Sequence, residues 1–296
     1  MKRLYFFLFI LLINFSFAKA QKPITLNDDS VKFGNRYFPG IWLNIPEVNA
    51  EQVRTSWIKA LEKGTKSKVT VEKNEMTIFG ANIPDFSESS LNIMSKIADH
   101  DSISNLFVSV ETKRDVFVGP NSEEYKKLTE NLKKFGKEQY VKLAKDQLAA
   151  EEDKLATLEK NLKAARKDKE KFDKAIQSSN IKIVEANDEI KRLNKEVEAT
   201  DGTIEENTSA LSSLTDGDAK KKKQSELKDL QKKKKNALKD INSAENSISK
   251  ANTAIDDNTK SIEENTVTQN ELVKSIDQQK IVVSQFQKKL LAIQAY

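Results

Sequence analysis

From Leu155 to Leu214 the apolar residues recur at alternating steps of three and four: Leu155, Leu158, Leu162, Ala165, then Phe172, Ile176, Ile183 and onward. Fourteen of the eighteen positions in that series are apolar, and Lys169, Ser179, Thr200 and Asn207 are the exceptions. The same step runs from Leu227 through Ile241, Ile255, Leu272 and Phe286 to Ile293, with fifteen of twenty positions apolar. Heptad spacing sustained this long predicts two coiled-coil helices. The phase is lost between Leu214 and Leu227, where Thr215-Asp216-Gly217-Asp218 reads as a turn near 215–218. Gly217 suits a left-handed helix end and Asp218 a cap for the next helix. About 77 residues precede this turn back to Tyr140 and 79 follow it to Tyr296, so the prediction is a long antiparallel hairpin with arms of about 11 nm. A turn at Asp201-Gly202 would leave the arms unequal and cut through an unbroken seam. Closure at Gly217 sets Lys169 beside Glu264 and Asn265, Phe172 near Ile262, and Phe286 near Leu148. Asn207, Asn258 and Asn265 fall on the seam, where a polar residue fixes register at some cost in stability.

The first part of the chain follows other periods. Ile41, Leu43 and Ile45 alternate, as a strand does. Val53, Trp57, Ile58 and Leu61 then follow helical spacing, with Asn49 placed to cap the helix and Gly64 to stop it. Val69 and Val71, then Thr77 to Ile83, flank Asn74-Glu75 as a hairpin. Leu106, Val108 and Val110 alternate as a further strand. Leu91 to Ala98 fits two readings: Leu91, Ile93 and Ile97 make a strand, while Leu91, Met94, Ile97 and Ala98 make a helix. A strand gives an antiparallel sheet with one helix; a helix gives the ferredoxin-like order. The strand is preferred, because Asp99-His100-Asp101-Ser102 reads well as the loop of a second hairpin.

Composition places the boundary between these two parts. All five prolines lie at or before Pro120, and both tryptophans, Trp42 and Trp57, lie in the same stretch. Proline interrupts helices and aromatic rings supply much of the core of a small domain. Residues 21–120 are therefore expected to form a small α+β domain, with 121–296 as the helical coiled-coil hairpin. Ahead of both, Met1 to Ala20 carries Lys2 and Arg3, an apolar run from Leu4 to Phe17 and a small-x-small ending at Ala18-Lys19-Ala20. That is the pattern of a secretory signal peptide, too short in its apolar run to span a bilayer. The exported chain then begins at Gln21, with no later stretch apolar enough to cross a membrane. Loss of Lys2, Arg3 and Lys19 lowers the formal net charge from +5 to +2. The basicity that would invite a nucleic-acid partner is thus largely the leader's, and no such partner is expected.

Little catalytic chemistry is on offer. The chain has no cysteine and a single histidine, His100. That rules out disulfides, thiolate metal sites, and any H-E-x-x-H zinc helix. Asp99, His100 and Asp101 are adjacent loop residues that rarely converge on one ion, so no metal and no cofactor is expected. Long heptad hairpins resemble those of chromosome-maintenance ATPases, but no G-x-x-x-x-G-K-[ST] loop is present to bind a nucleotide phosphate. The one candidate site is a basic tip: Lys220, Lys221, Lys222 and Lys223, then Lys232, Lys233, Lys234 and Lys235. Asp216 to Asp240 holds ten lysines against five acids. A run of this kind is ordinarily a solvated helix face; its functional alternative is a surface for an anionic envelope component or an acidic protein.

The succession of a strand near Phe38 to Pro46, a helix near Glu51 to Leu61, strands near Lys68 to Ile83, a hairpin near Leu91 to Val110 and a Lys/Glu heptad tail resembles a group of uncharacterised exported coiled-coil proteins of Gram-negative bacteria. The resemblance implies a periplasmic or envelope setting and favours the antiparallel sheet, and brings no activity with it. Asp29-Ser30-Val31 and Asp101-Ser102-Ile103 look like the three-residue O-glycosylation acceptor used in some such bacteria. The expectation is a non-enzymatic exported scaffold or adaptor. The alternative is a periplasmic holdase-type chaperone with helical tentacles, which shares the leader, the lack of cysteine and the lysine-rich hairpin.

Overall fold

The computed structural model describes residues 23–83, 86–87, 89–100, 103–215 and 217–295, with only the main chain described at 99 and 100. Residues 1–22, which include the expected leader, and Asp101 and Ser102 of the expected hairpin loop lie outside the described residues. The described residues up to Asp153 together with those from Lys280 onward form one compact unit, and the described residues between Lys154 and Gln279 form a second.

The first unit is built on an antiparallel sheet of seven strands. In chain order they are β1 (Thr25–Phe33), β2 (Arg36–Pro46), β3 (Thr70–Glu72), β4 (Glu75–Ala81), β5 (Leu91–His100), β6 (Ile103–Lys113) and β7 (Val116–Phe117). Their spatial order is β1-β2-β6-β5-β4-β3, with β7 beside β6. Helix α1 (Ala50–Glu62) links the β1–β2 hairpin to the β3–β6 meander, and the side chain of Asn49 accepts the Glu51 N–H as its N-cap. Its apolar face, Val53, Trp57 and Leu61, is buried in one core with Ile41, Leu43, Ile45, Ile93 and Leu106. Leu91 to Ala98 is strand, paired on both sides, so the antiparallel order holds and the ferredoxin-like one falls.

Three local expectations shift. The β3–β4 turn sits on Lys73-Asn74, one residue earlier than read, with Lys73 at φ +56°. Asn74 ties this turn to β5, donating from Nδ2 to the Ile97 carbonyl at 3.0 Å and accepting the Ile97 N–H at 2.9 Å. Asp99 and His100 are not loop residues but pair with Ser104 and Ile103 as strand. β1 and β7 were not anticipated at all: β1, TLNDDSVKF, is largely exposed and does not alternate.

The core also extends past Pro120. Helix α2 runs Glu123–Ser212, started by Ser122, whose Oγ accepts the Tyr125 N–H at 3.0 Å. Leu128, Leu132, Phe135, Tyr140 and Ala144 of α2, and Ile293 of helix α3 (Asp218–Gln294), are buried in the same core as α1 and the sheet. Phe135 packs edge-on against Trp57, ring centres 5.0 Å apart. A unit cut at residue 120 would leave this apolar face in water, so the boundary that composition marks is not the boundary of packing.

In the second unit α2 and α3 run antiparallel. Asn265 Nδ2 donates to the Ala165 carbonyl across the arms at 3.0 Å, and Lys234 meets Asp201 at 2.6 Å. Buried positions lie on the predicted seam: Ala165, Ser179, Leu193 and Thr200 on α2, and Leu227, Ala237, Ala251, Leu272 and Ile276 on α3. The helices end where the heptad phase breaks, and Asp216 of the expected turn lies outside the described residues. The Gly217 carbonyl accepts the Lys221 N–H at the start of α3, and Asp218 lies inside the first turn of that helix.

Candidate functional site

The eight tip lysines all lie in the first turns of α3, beside the most acidic stretch of α2. Asn194 to Thr215 holds one lysine against five acids, Glu196, Glu198, Asp201, Glu205 and Glu206. Two lysines reach across to that arm: Lys233 to Glu196 at 3.2 Å and Lys234 to Asp201 at 2.6 Å. Lys223 pairs with Glu226 one turn on, at 3.1 Å, and Lys220 is half-buried. Lys221, Lys222, Lys232 and Lys235 are exposed. The excess of positive charge read along α3 is therefore partly offset in three dimensions, because the facing helix carries the opposite sign. Of the eight, Lys221, Lys222, Lys232 and Lys235 are left to an anionic partner as exposed ammonium groups spread over about four turns of α3.

Among the described residues no group of three or more His, Asp or Glu side chains is disposed to hold a metal ion. Trp57 is a core anchor: its indole N–H donates to Ser95 Oγ at 2.9 Å, and Ser95 is itself fully buried. This bond removes the penalty of burying both polar groups. Two surface depressions lie on α2, one around Lys134, Val141 and Lys145 and one around Ile176, Ile181 and Val184. Each is lined by one face of that helix.

Two arrangements in the head have no signature in the sequence. The first is a clasp around Glu47, a non-glycine residue at φ +61° just after β2. Its carboxylate accepts from Lys289 of α3 and, at 3.1 Å, from the Tyr140 hydroxyl of α2. The Lys289 ammonium also donates to Gln147 at 3.1 Å and sits 5.8 Å from the centre of the Tyr140 ring. Nearby, Lys137 donates to the Gln294 carbonyl at 2.8 Å, a cation on one of the last carbonyls of α3. On β1, Asp28 accepts from the Tyr125 hydroxyl at 2.5 Å. That bond, reinforced by burial and by the carboxylate's charge, pushes the Tyr125 phenol up to about 12.

The second lies on the sheet face turned away from the helices. Phe107 of β6 is fully buried there, 5.3 Å from Trp42 and 6.0 Å from Phe33. Gly40 makes room for it, since a Cβ at that position would lie 2.6 Å from Phe107 Cζ. Phe38 packs edge-on between Phe33 and Phe117, at 5.7 and 5.5 Å. Cations flank the cluster, Lys96 over Phe33 and Arg36 over Phe38, each also paired to an acid, Glu75 and Asp115. Trp42 aims its indole N–H out of this cluster onto Asp29 of β1 at 3.0 Å.

No known protein family matches the chain, and no characterised protein does. Among solved structures it is similar to a coiled-coil segment of the Smc protein of Pyrococcus yayanosii, at 17% identity over 54% of this chain and 74% of that one, with a TM-score of 0.32. A likeness at that level transfers nothing to this chain. No described helix is long and apolar enough to cross a membrane.

Proposed function

We propose that the chain is a non-enzymatic scaffold or adaptor of the cell envelope, exported by its first twenty residues, that works by presenting a helical hairpin to a protein or anionic partner. The observation that carries this reading is the construction of the head. Its core is completed by Leu132 and Phe135 from the start of α2 and by Ile293 from the end of α3. The sheet domain therefore serves as the mount in which both ends of the hairpin are fixed. The exposed lysines at the opposite end of α3, Lys221, Lys222, Lys232 and Lys235, give the hairpin a surface for charge-steered contact.

The test is capture from envelope extract with the chain from Gln21 onward as bait, alongside its sedimentation behaviour. One partner retained in fixed ratio is the expected result. A broad set of unrelated unfolded polypeptides would replace the adaptor by the holdase chaperone, and full-length chain retained in the cytoplasm would remove the envelope from the proposal.

A further inference from the structure

Among the described residues the six-strand path of the sheet ends at β3 and β1, and the two-residue β7 lies off that path beside β6. β3 is three residues long and offers little to pair with, whereas β1 runs for nine residues in unbroken register with β2. A long, straight edge strand is a template for another strand unless something blunts it. The two-residue turn Gly34-Asn35 closes on the pair Phe33–Arg36. In a hairpin of that length the closing pair exchanges both main-chain bonds. The odd-numbered residues of β1 therefore turn their N–H and C=O groups toward β2, and Leu26, Asp28, Ser30 and Lys32 turn theirs outward. Among the described residues no main-chain bond from another element reaches that outer row.

The central donor of the row is closed in another way. The Ser30 N–H donates to Oδ1 of Asp29 at 2.7 Å, and the other oxygen of the same carboxylate accepts the Trp42 indole N–H at 3.0 Å. Trp42 is fixed by Phe107, which is buried over Gly40. The aromatic cluster thus aims Asp29 at one of the two mid-strand N–H groups of the free edge, those of Asp28 and Ser30.

We propose that β1 is a docking edge for a second copy of this chain, held closed by the Asp29 carboxylate. Two copies pair edge to edge about a two-fold axis, and the charges on β1 choose the register. An axis through Asp28 or Asp29 sets that carboxylate against its own copy, which is unfavourable across a strand pair. An axis through Ser30 makes Ser30 an outward hydrogen-bonded pair with itself and sets Asp28 opposite Lys32 twice. Asp28 engages Tyr125 through Oδ1, which leaves Oδ2 for the incoming ammonium. This register requires the Ser30 N–H, the group that Asp29 occupies, so pairing and the Asp29 bond exclude one another.

Sedimentation velocity of the chain from Gln21 onward, beside its Asp29→Ala variant, tests this directly. The variant is expected to dimerise at least tenfold more tightly than the parent. Adding Ser30→Cys to it should give an interchain disulfide under mild oxidation, since the chain has no other thiol and the paired Cα atoms of such a pair lie about 5.5 Å apart. Adding Lys32→Glu should return it to monomer, and the swap Asp28→Lys with Lys32→Glu should restore the dimer. A monomeric Asp29→Ala variant with an unchanged circular dichroism spectrum and melt overturns the proposal. So does a dimer that ignores Lys32→Glu and forms no disulfide, since another surface then pairs. Should Asp29→Ala fail to fold, Trp42→Phe, which keeps Asp29 but removes the indole N–H that aims it, is read by the same outcomes.

Discussion

Lys289 and Glu47, 242 residues apart in the chain, meet where the last turns of α3 pass the end of β2. The pair is more than half shielded, with side chains 23% and 36% exposed. It therefore escapes part of the screening that makes open surface pairs nearly worthless. Lys289→Met and Glu47→Gln should each lower head stability, and a double-mutant cycle should return a coupling of about 1 kcal/mol. A coupling near zero would reduce the clasp to an open surface contact that adds nothing to stability.

Neighbouring residues at the end of α3 allow a controlled comparison. Ile293 is fully buried and Leu291 is 65% exposed. Ile293→Ala should cost the first unit about 2–5 kcal/mol in urea unfolding, through lost burial and the cavity left behind. Leu291→Ala should stay within about 0.5 kcal/mol of the parent. Equal effects would mean that the head does not depend on α3.

The antiparallel register of the second unit is checked chemically. Cysteines at Lys160 and Lys274 should join within one chain through a short thiol-reactive linker, as the Asn265 contact with the Ala165 carbonyl requires. Linkage found solely between chains would mean a parallel dimer instead. Replacing Asn265 by Leu should raise the unfolding midpoint while allowing neighbouring cysteine pairs to link as well, because a buried amide holds register at the expense of stability.

At the tip, changing all eight lysines, Lys220 to Lys223 and Lys232 to Lys235, to glutamine should leave helix content nearly unchanged, since glutamine has a similar helix propensity. Retention on envelope fractions should drop, and retention of the parent should fall steeply with salt. Unchanged retention would make the tip a solvated face whose charge is balanced by Glu196 and Asp201 across the seam.

Tyr125 carries a pH signature. Its folded value of about 12, against the ordinary 10.0, means that the native state holds the phenolic proton more tightly than the unfolded chain does. Its contribution is complete below pH 10 and disappears as pH rises toward 12. Tyr125→Phe should remove one late-titrating phenol from the ultraviolet titration and flatten the loss of stability across that window. A parent titration with no late component would remove the Asp28 bond.

The sequence by itself determined what depends on local period and local chain chemistry. The heptad steps from Leu155 to Leu214 and from Leu227 to Ile293 specify two helices and their facing stripes. The phase break at Thr215 to Asp218 separates them. Each is legible because a residue's face in a helix is set by its own neighbours. Tertiary structure alone decided the rest. Leu91 to Ala98 fits a strand and a helix alike by its own spacing, and is strand because β4 and β6 pair with it on either side. β1 is too polar to alternate and exists because β2 offers it a ladder of main-chain bonds. The core reaches past Pro120 because Leu132, Phe135 and Ile293 find the open face of the sheet, which no local pattern encodes. Lys289 with Glu47, and Lys234 with Asp201, are ordinary surface charges until folding brings distant segments together. Asp29 is one acid among many until the ring of Trp42, packed against the Phe107 that lies over Gly40, turns it onto the Ser30 N–H.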